Sequence, residues 1–422
     1  AMQRMTKEER SWVLYDAGNS AFVLVMVTAI MPLFYKEIAA GHLPGAISTA
    51  HWGYANSAAS LILALLAPFL GAMADYRQRK RFFFLGFLWL GLIFNLALCF
   101  IGQGQWLLCL AFFVVARVGW AGANIFYDAF LIDVTTKERL DIISTRGYGY
   151  GYIGSVIPFL IVIGLIMSGG IAEGLPVVKT RLGFFIVALW WLALSIPAIK
   201  NIRQRNFSES ELDEADIPIP HGFKRLWKTL HEIRRHKQAF LFLLAYFFYI
   251  DGVGTIISMA TAYGHDLGFS ATLLIIVLLF IQIVAFPFAL LFGRLATRFT
   301  AKKMLLAGIC IYLVATLVAA MLPSITNLSV KTGLFWVIAF LVASAMGGIQ
   351  ALSRSYFSKL IPSERSGEFF GFYNVFGKFA AITGPFLMGI IAHLTGETRW
   401  GVLSIGVLFI IGAILLLKVE EN

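Results

Sequence analysis

Charged residues are scarce in this chain: they make up 14% of its 422 residues, whereas 59% are hydrophobic and the mean hydropathy is strongly positive. This composition excludes an ordinary soluble domain and indicates a chain that needs lipid as its solvent. The sequence also lacks a His-Glu-x-x-His motif, a membrane Ser and His pair, and a carboxylate cluster suited to a metal. It therefore predicts no enzyme, no catalytic residue, no metal and no cofactor.

Cysteine is rare, and its three copies, Cys99, Cys109 and Cys310, fall in apolar stretches without pairing or ligand spacing. We interpret them as small buried hydrophobic residues. The N-terminal region lacks the pattern of a cleaved signal, because its first hydrophobic run is full length and has no small-residue cleavage site. We therefore expect that run to be the first membrane span.

Long apolar stretches, in contrast, recur from one end of the chain to the other. A spanning helix needs about 20 mostly apolar residues, and twelve windows of that length are separated by polar residues. Unbroken runs such as 82–100 and 403–417 favour helices over the alternating strands of a barrel. The predicted spans are 12–35, 51–74, 82–101, 106–133, 147–168, 183–200, 238–261, 270–293, 303–322, 334–357, 369–393 and 400–418.

The net charge of +11 would suit a nucleic-acid-binding protein, so the positions of the basic residues decide between the two interpretations. With the N-terminus inside, 27 of the 34 Lys and Arg residues lie on the cytoplasmic side, 5 lie outside, and Arg117 and Lys378 lie within spans. This asymmetry follows the positive-inside rule and predicts that both termini are cytoplasmic. We therefore expect no nucleic-acid partner.

Two echoes indicate that the chain consists of duplicated halves. The segment 71–80, which follows the second span, recurs at 293–303. The segment 127–139 recurs at 353–365. Because both segments recur after nearly the same stretch of chain, they predict two pseudo-symmetric six-helix bundles in an all-α membrane protein.

A polar stretch separates the two halves. It opens with an acidic run at 209–216 and continues, from Phe223, as a basic amphipathic helix. A helix of this kind is expected to lie on the anionic lipids of the inner leaflet. The predicted domains are an N-terminal bundle at 1–200, a cytoplasmic linker at 201–237 with its basic helix at 223–237, and a C-terminal bundle at 238–422.

Charged side chains within the spans avoid every third helix, which leaves those helices to face lipid and turns the others toward a shared cavity. A charge at bilayer depth costs about 2.5 to 3.5 kcal/mol, so such residues are functional candidates. The candidates for substrate binding or coupling are Asn19, Arg117, Asn124, Tyr127, Asp251, Gln282, Gln350, Asn374 and Lys378. Asp16, Asp128 and Arg354, nearer the cytoplasmic ends, are candidates for an inner gate.

Several of these residues also have structural interpretations. Asp251 and Lys378 could form an ion pair between helices, since buried charges are commonly paired. Asp16 could cap a helix or pair at the interface. Arg117 is isolated among apolar neighbours and needs an anionic partner in the fold.

Four residues of the first echo, Gly71, Asp75, Arg79 and Lys80, resemble the loop motif of the major facilitator superfamily. In that motif the glycine permits close helix contact, and the aspartate forms a charge network that latches the cytoplasmic side. Tyr76 and Gln78 depart from the motif. The second-half echo has Thr297 where the acid would stand.

Within that superfamily the chain resembles the vacuole effluxer-like family, named for a fungal vacuolar amino-acid exporter of autophagy. The segments that carry the resemblance are 15–22, 127–131, 348–356 and 368–385. The resemblance implies two six-helix bundles that alternate access to a central site, and export or exchange of a solute such as an amino acid. Arg117 stands where drug-exporting relatives keep an arginine linked to proton coupling, although Trp120 and Ala121 depart from their motif.

The sequence thus predicts a monomeric secondary transporter in the bacterial cytoplasmic membrane. Its expected partners are a small polar or zwitterionic metabolite and a coupled proton. Arg117 and Lys378 would receive an anionic group, and Asp251 a cationic group or the proton. Two alternatives stay open: an exporter of amphipathic compounds, favoured by 15% aromatic residues, and a non-transporting receptor on the same fold.

Overall fold

The computed structural model describes residues 4–170, 174–208 and 222–420, and they are almost entirely helical. The acidic run predicted at 209–216 lies outside these residues. Twelve described helices are long and apolar enough to cross a membrane. By their internal contacts the residues form two compact units. The first comprises Ala1–Thr136, Tyr150–Ile219 and Ser363–Gly371, and the second comprises Lys137–Gly149, Pro220–Pro362 and Phe372–Asn422.

Polar residues that precede apolar stretches begin several of the helices. The side chain of Thr6 accepts the backbone N–H of Glu9, and that of Ser270 accepts the N–H of Leu273. Such caps satisfy amides that have no partner within the helix. The long helices in the first half of the chain are α1 (Lys7–Ala21), α2 (Gly45–Ala74), α3 (Arg79–Ala97), α4 (Trp106–Ala129), α5 (Leu140–Ser168) and α6 (Val177–Asn201).

The second half of the chain repeats this series. The linker helix (Gly222–Arg235) precedes it and leads directly into the next span. The long helices are α7 (Lys237–Asp266), α8 (Ala271–Arg298), α9 (Ala301–Met321), α10 (Leu328–Leu360), α11 (Ser366–Thr395) and α12 (Thr398–Leu417). Short helical pieces lie at Met31–Phe34, Leu98–Phe100, Leu131–Val134, Lys137–Arg139, Leu322–Ser324 and Ser363–Arg365.

The two units use the same helix pairings. In the first unit α1 packs against α6, α3 against α4, and α2 against α4. In the second unit the corresponding pairs are α7 with α12, α9 with α10, and α8 with α10. This correspondence is what duplicated six-helix bundles predict. The twelve helices confirm the predicted all-α membrane fold, and the cytoplasmic position of the termini stays a prediction.

Some helices differ from the predicted spans in length or form. The first span, predicted at 12–35, continues beyond α1 as wide π-helical turns at Phe22–Ala29 and Tyr35–Ala39. The fifth helix begins in polar residues before its apolar window, and the tenth ends in polar residues after its own. Hydropathy locates only the part of a helix that lipid surrounds. The polar extensions pack within the protein, and they carry much of the site described next.

Candidate functional site

The C-terminal end of α2 brings two of the predicted motif residues, Gly71 and Asp75, to the start of α11. The carboxylate of Asp75 accepts the backbone N–H groups of Gly367 (2.6 Å) and Glu368 (2.9 Å). Gly71 permits this approach, because a side chain there would overlap the carbonyl oxygen of Gly367. An acid is favoured beside the unpaired N–H groups of a helix N-terminus. We call Ser363–Gly371 the latch segment, since these contacts hold it against the end of α2.

A buried ion pair supports the same segment. Lys80 is fully buried, and its ammonium group donates to Asp133 Oδ2 (2.8 Å), Ser366 Oγ (2.7 Å) and the carbonyl oxygen of Ala129 (3.3 Å). The ammonium nitrogen also lies 5.3 Å from the centre of the Phe130 ring. All three donors of the lysine therefore have acceptors, which is what a charge removed from water requires.

Asp133 was not among the predicted site residues, yet it joins the latch to the start of the linker. Its Oδ1 atom accepts the backbone N–H groups of Arg205 (3.0 Å) and Asn206 (2.8 Å), and the side-chain amide of Asn206 (3.0 Å). Arg79, in contrast, is exposed and lies over the ring of Phe82. The described contacts therefore place three of the four motif residues at the latch segment.

Burial controls the protonation of Asp75. It raises the pKa of this carboxyl group to about 7, and it is the largest of the causes. The charge of Lys80 and the N–H groups of Glu368 and Gly367 lower the pKa, whereas the carboxylate of Glu368 raises it further. Asp75 therefore titrates near neutral pH while the latch segment is in place.

The second unit contains Arg354, the arginine predicted for the inner gate. Its side chain is 2% exposed. Nε donates to Ser144 Oγ (2.9 Å), and Nη2 donates to the carbonyl oxygen of the same residue (3.0 Å). The guanidinium lies 4.5 Å from the centre of the Tyr148 ring. Arg354 thus joins α10 to the first turns of α5.

An acid that the sequence did not single out completes this cluster. Asp141, in the first turn of α5, accepts hydrogen bonds from Ser355 Oγ (2.6 Å) and Lys359 Nζ (2.7 Å). Thr297, at the position of the missing motif acid, is exposed and donates to the carbonyl oxygen of Arg294. In the second unit the acid therefore stands on α5 rather than at the end of α8.

The polar candidates on α1 and α4 form two small groups in the first unit. Asn19 Nδ2 donates to Asn124 Oδ1 (3.2 Å). Asp16 is buried, accepts from Ser20 Oγ (3.3 Å), and lies against Gly151 of α5. These contacts join Asn19 of α1 to Asn124 of α4 and place Asp16 beside α5.

Tyr127 and Asp128 occupy different surroundings on α4. Tyr127 is 1% exposed, its ring stacks on Trp12 with centroids 4.4 Å apart, and its hydroxyl donates to the carbonyl oxygen of Trp12 (2.8 Å). Asp128 is half-buried. The tyrosine thus packs between α1 and α4, and its hydroxyl is hydrogen-bonded to the backbone of α1.

Arg117 lies in the middle of α4 and is half-buried. Its Nη1 atom donates to Asn56 Oδ1 of α2, and within the described residues no carboxylate is paired with it. One turn away, the ring of Trp52 stacks on those of Phe113 (4.5 Å) and Tyr35 (5.3 Å). A guanidinium with unused donors therefore stands beside an aromatic surface.

The candidates of the second unit are spread over three helices. Asp251 of α7 is 2% exposed, and its Oδ2 atom accepts from Thr383 Oγ of α11 (2.7 Å). Its described partner is thus a hydroxyl group and not Lys378. Asn374, Lys378 and Gln350 are half-buried, and Gln350 Nε2 donates to the carbonyl oxygen of Met346 (3.2 Å).

Gln282 of α8 lines a cavity of about 90 Å³ that is otherwise apolar. Residues of α7, α8 and α10 form its walls, among them Ile257, Phe335 and Met346. The described residues contain no group of three or more His, Cys, Asp or Glu side chains able to hold a metal ion.

Twelve spanning helices in two equivalent units, with charged groups buried along them, define a major facilitator superfamily transporter. Solved structures share this fold. The human organic anion transporter MFSD10 aligns with a TM-score of 0.72 at 13% identity, covering 98% of this chain and 100% of that protein. The E. coli fucose:proton symporter FucP aligns with a TM-score of 0.69 at 14% identity, covering 99% and 98%.

The chain belongs to the vacuole effluxer Atg22-like family, whose model matches residues 4–134 and 132–422. An uncharacterized transporter of Bacillus subtilis, YxiO, is 48% identical over all of this chain and 96% of its own length. Autophagy-related protein 22 of Coccidioides immitis is 25% identical over 89% of this chain and 74% of its own length. The protein is therefore a multi-pass membrane transporter and not an enzyme.

Proposed function

We propose that the protein is a secondary transporter that exports a small polar or zwitterionic metabolite, such as an amino acid, by alternating access. The observation that carries the proposal is the guanidinium of Arg117, whose described partner is the neutral Asn56. A charge at membrane depth is costly unless it is paired or used. An anionic group of the solute would supply the missing partner by accepting hydrogen bonds from the remaining N–H groups of the guanidinium.

The surroundings of Arg117 favour a solute that has an apolar part next to its anionic group. Trp52 and Phe113 each lie four residues before a polar partner, Asn56 and Arg117, so one helical turn separates the aromatic stack from the charged group. Trp52 is partly exposed, whereas Phe113 is buried behind it. A carboxylate at Arg117 would therefore bring the adjoining side chain against Trp52.

The family supports the direction and the solute class. Its description as vacuole effluxers favours export, and the curated relatives include autophagy-related protein 22 of fungi. An amino acid carries a carboxylate that Arg117 would bind. Lys378, which is half-buried on α11, is the second cation that we propose for solute binding.

Transport by the purified protein in liposomes tests this proposal. Arg117→Ala should lower the uptake of a labelled amino-acid mixture by at least about 30-fold, because truncating one partner of a buried charged contact costs about 2 to 5 kcal/mol. Arg117→Lys should recover part of the loss, since it restores the charge without the planar fork. Arg298→Ala, which removes an exposed arginine, is the matched control and should transport as the parent protein does.

Uptake that is unchanged by Arg117→Ala would overturn the assignment. A thermal-stability screen against amino acids, nucleosides, sugars and peptides would then identify the solute class independently. A ligand that binds the folded state raises its apparent stability. Under our proposal the stabilising ligands carry a carboxylate, and their effect is lost in Arg117→Ala.

The apolar cavity beside Gln282 favours a second candidate function, the export of amphipathic compounds. A pocket with a single amide in an otherwise apolar wall suits a hydrophobic solute better than a zwitterion. Competition distinguishes the two functions: lipophilic cations should inhibit uptake only if this second function is correct, and hydrophilic amino acids only if the first is.

We also propose that the linker helix rests on anionic lipid. Trp227 is 74% exposed, and the basic residues Lys228, Arg234 and Arg235 are exposed as well, whereas Ile233 is buried. Basic residues near an anionic surface contribute about 1 kcal/mol each, and an exposed tryptophan is stabilised at the interface between lipid and water.

Nanodiscs with and without phosphatidylglycerol test this lipid contact. The fluorescence difference between the parent protein and Trp227→Phe isolates the emission of this tryptophan. It should shift to shorter wavelength when the anionic lipid is present. The triple substitution Lys228→Glu, Arg234→Glu and Arg235→Glu should abolish the shift. An emission wavelength that is the same with and without phosphatidylglycerol in the parent protein would contradict the proposal.

A further inference from the structure

Asp251 combines deep burial with incomplete hydrogen bonding. It lies within the span Lys237–Ser258 and is 2% exposed. One carboxylate oxygen, Oδ2, accepts from Thr383 Oγ (2.7 Å). The other, Oδ1, is buried and has no hydrogen-bond partner among the described residues. An ionised carboxylate in this position would keep its charge away from water with few donors to offset it, which is costly.

The space beside Oδ1 is bounded by a backbone. A side chain on Gly384 of α11 would overlap both Asp251 Oδ1 and Thr255 Oγ, so these two oxygens flank the same point. The hydroxyl of Thr255 donates to the carbonyl oxygen of Asp251 (2.7 Å), one turn back along α7. Its oxygen can therefore accept a further hydrogen bond.

The neighbouring tyrosines of α7 have partners other than Asp251. Tyr249 is hydrogen-bonded to Ser353 of α10 and lies against Gly412 of α12. The ring of Tyr246 stacks on Tyr373 of α11, one turn toward the start of α7. The other titratable or charged side chains on the helices packed against α7 are Glu368, Lys378 and His393 of α11, Lys331, Arg354, Tyr356 and Lys359 of α10, Lys302, Lys303, Cys310 and Tyr312 of α9, Arg294 and Arg298 of α8, and Arg399 of α12.

We infer that Asp251 is the proton-binding residue that couples solute movement to the proton gradient, an inference that rests on the proposed transport function. A proton adds to Oδ1 and forms an O–H bond, which neutralises the carboxylate, and the new O–H group donates to Thr255 Oγ. Release reverses the step: the O–H bond breaks, the proton leaves to water, and the negative charge returns to the carboxylate. The solute and the proton then use different groups, Arg117 and Asp251.

The space between Asp251 Oδ1, Thr255 Oγ and Gly384 suits a proton better than a metal cation. An alkali cation needs several oxygen ligands around it, whereas the backbone of Gly384 closes one side of the space next to Oδ1. A proton needs one acceptor for the bond it creates, and Thr255 supplies it. The glycine is required for this geometry, since even an alanine methyl group would fill the space.

The first experiment needs no solute. Difference infrared spectra are recorded between mildly acidic and alkaline buffer on purified protein that carries Asp75→Asn in every variant, because Asp75 also gains a proton near neutral pH. In this background they should contain the carbonyl band of a protonated carboxylic acid. Asp251→Asn should remove that band, whereas Arg117→Ala and Glu397→Gln should keep it; Glu397 is an exposed acid and is the matched control. A band that persists in Asp251→Asn would overturn the inference, whatever the solute proves to be.

The second experiment measures coupling in proteoliposomes that carry a pH gradient and a labelled amino-acid mixture. Asp251→Asn and Gly384→Ala should reduce gradient-driven accumulation to the level reached by equilibration, whereas Glu397→Gln should accumulate solute as the parent protein does. Size-exclusion profiles and thermal midpoints establish that the variants are folded. Asp251→Asn that still accumulates solute, or accumulation that follows a sodium gradient rather than the pH gradient, would overturn the inference.

The two proposals fail in different ways. If the infrared band depends on Asp251 but no amino acid is carried, the proposed solute class is wrong and the proton site stands. If amino acids are carried and Arg117 is required, but the band and the pH dependence are both independent of Asp251, the function stands and the proton site is wrong.

Discussion

Replacement of Lys80 by Met is expected to lower the free energy of unfolding by about 3 to 5 kcal/mol, because it leaves the carboxylate of Asp133 as an uncompensated buried charge. Both side chains of this pair are 0% exposed, and their charged atoms are 2.8 Å apart. The loss also frees the hydroxyl of Ser366 in the latch segment from its lysine partner. Denaturant or thermal unfolding of the detergent-purified protein measures the effect.

Two further variants give this prediction its controls. Lys303→Met removes an exposed lysine and should change stability by less than about 0.5 kcal/mol. The double variant Lys80→Met with Asp133→Asn should lose less free energy of unfolding than the sum of the losses of the two single variants, because residues in one ion pair are not independent. If Lys80→Met unfolds at the same denaturant concentration or temperature as the parent protein, the pair is not buried in the folded state.

The hydrogen bonds between Asp75 and the latch segment should weaken strongly as the pH rises. With the segment in place the pKa of Asp75 is about 7; with the segment released the carboxyl group would meet water and titrate near its ordinary value of about 3.9. The held form therefore binds the proton more tightly. Its population relative to the released form should fall by up to about three orders of magnitude between those two pH values and then level off.

Hydrogen exchange at the amides of Gly367 and Glu368 measures this change, since both N–H groups donate to Asp75. Comparison with Asp75→Asn at each pH removes the intrinsic pH dependence of exchange. Protection in the parent protein should decline relative to that neutral variant as the pH rises. Gly71→Val should expose these amides at every pH, because its side chain would overlap the carbonyl oxygen of Gly367. If the protection of these amides changes with pH in the same way in the parent protein and in Asp75→Asn, the prediction is wrong.

Several parts of the fold could be predicted because they depend on local composition. Each of the twelve spans could be recognised from the apolar residues of its own segment. The duplication could be recognised because two segments recur after nearly the same stretch of chain. The special role of Gly71 and Asp75 also followed from a motif. Arg117 could be singled out because a lone arginine among apolar residues stands out in any membrane span.

The partners of these residues could not be predicted, because each lies far away in sequence. Asp75 meets Gly367 across 292 residues, and Arg354 meets Ser144 across 210. Asp133 and Asp141 looked like ordinary acids near helix ends, where charged residues are common. One signal was present: in the echo that relates 127–139 to 353–365, Asp133 corresponds to Lys359, so both halves place a charged group at that position.

The sequence by itself determined which segments cross the membrane and which of them carry charge, since transfer into lipid depends on the residues of each segment alone. Only the tertiary structure decided what those charges do. It placed Lys80 with an acid, Asp75 with a helix terminus, Arg117 with a neutral amide, and Asp251 with one hydroxyl group and one unpartnered oxygen. The reason is physical: the energy of a buried charge is set by the groups within a few ångströms, and helix packing brings those groups from distant parts of the chain.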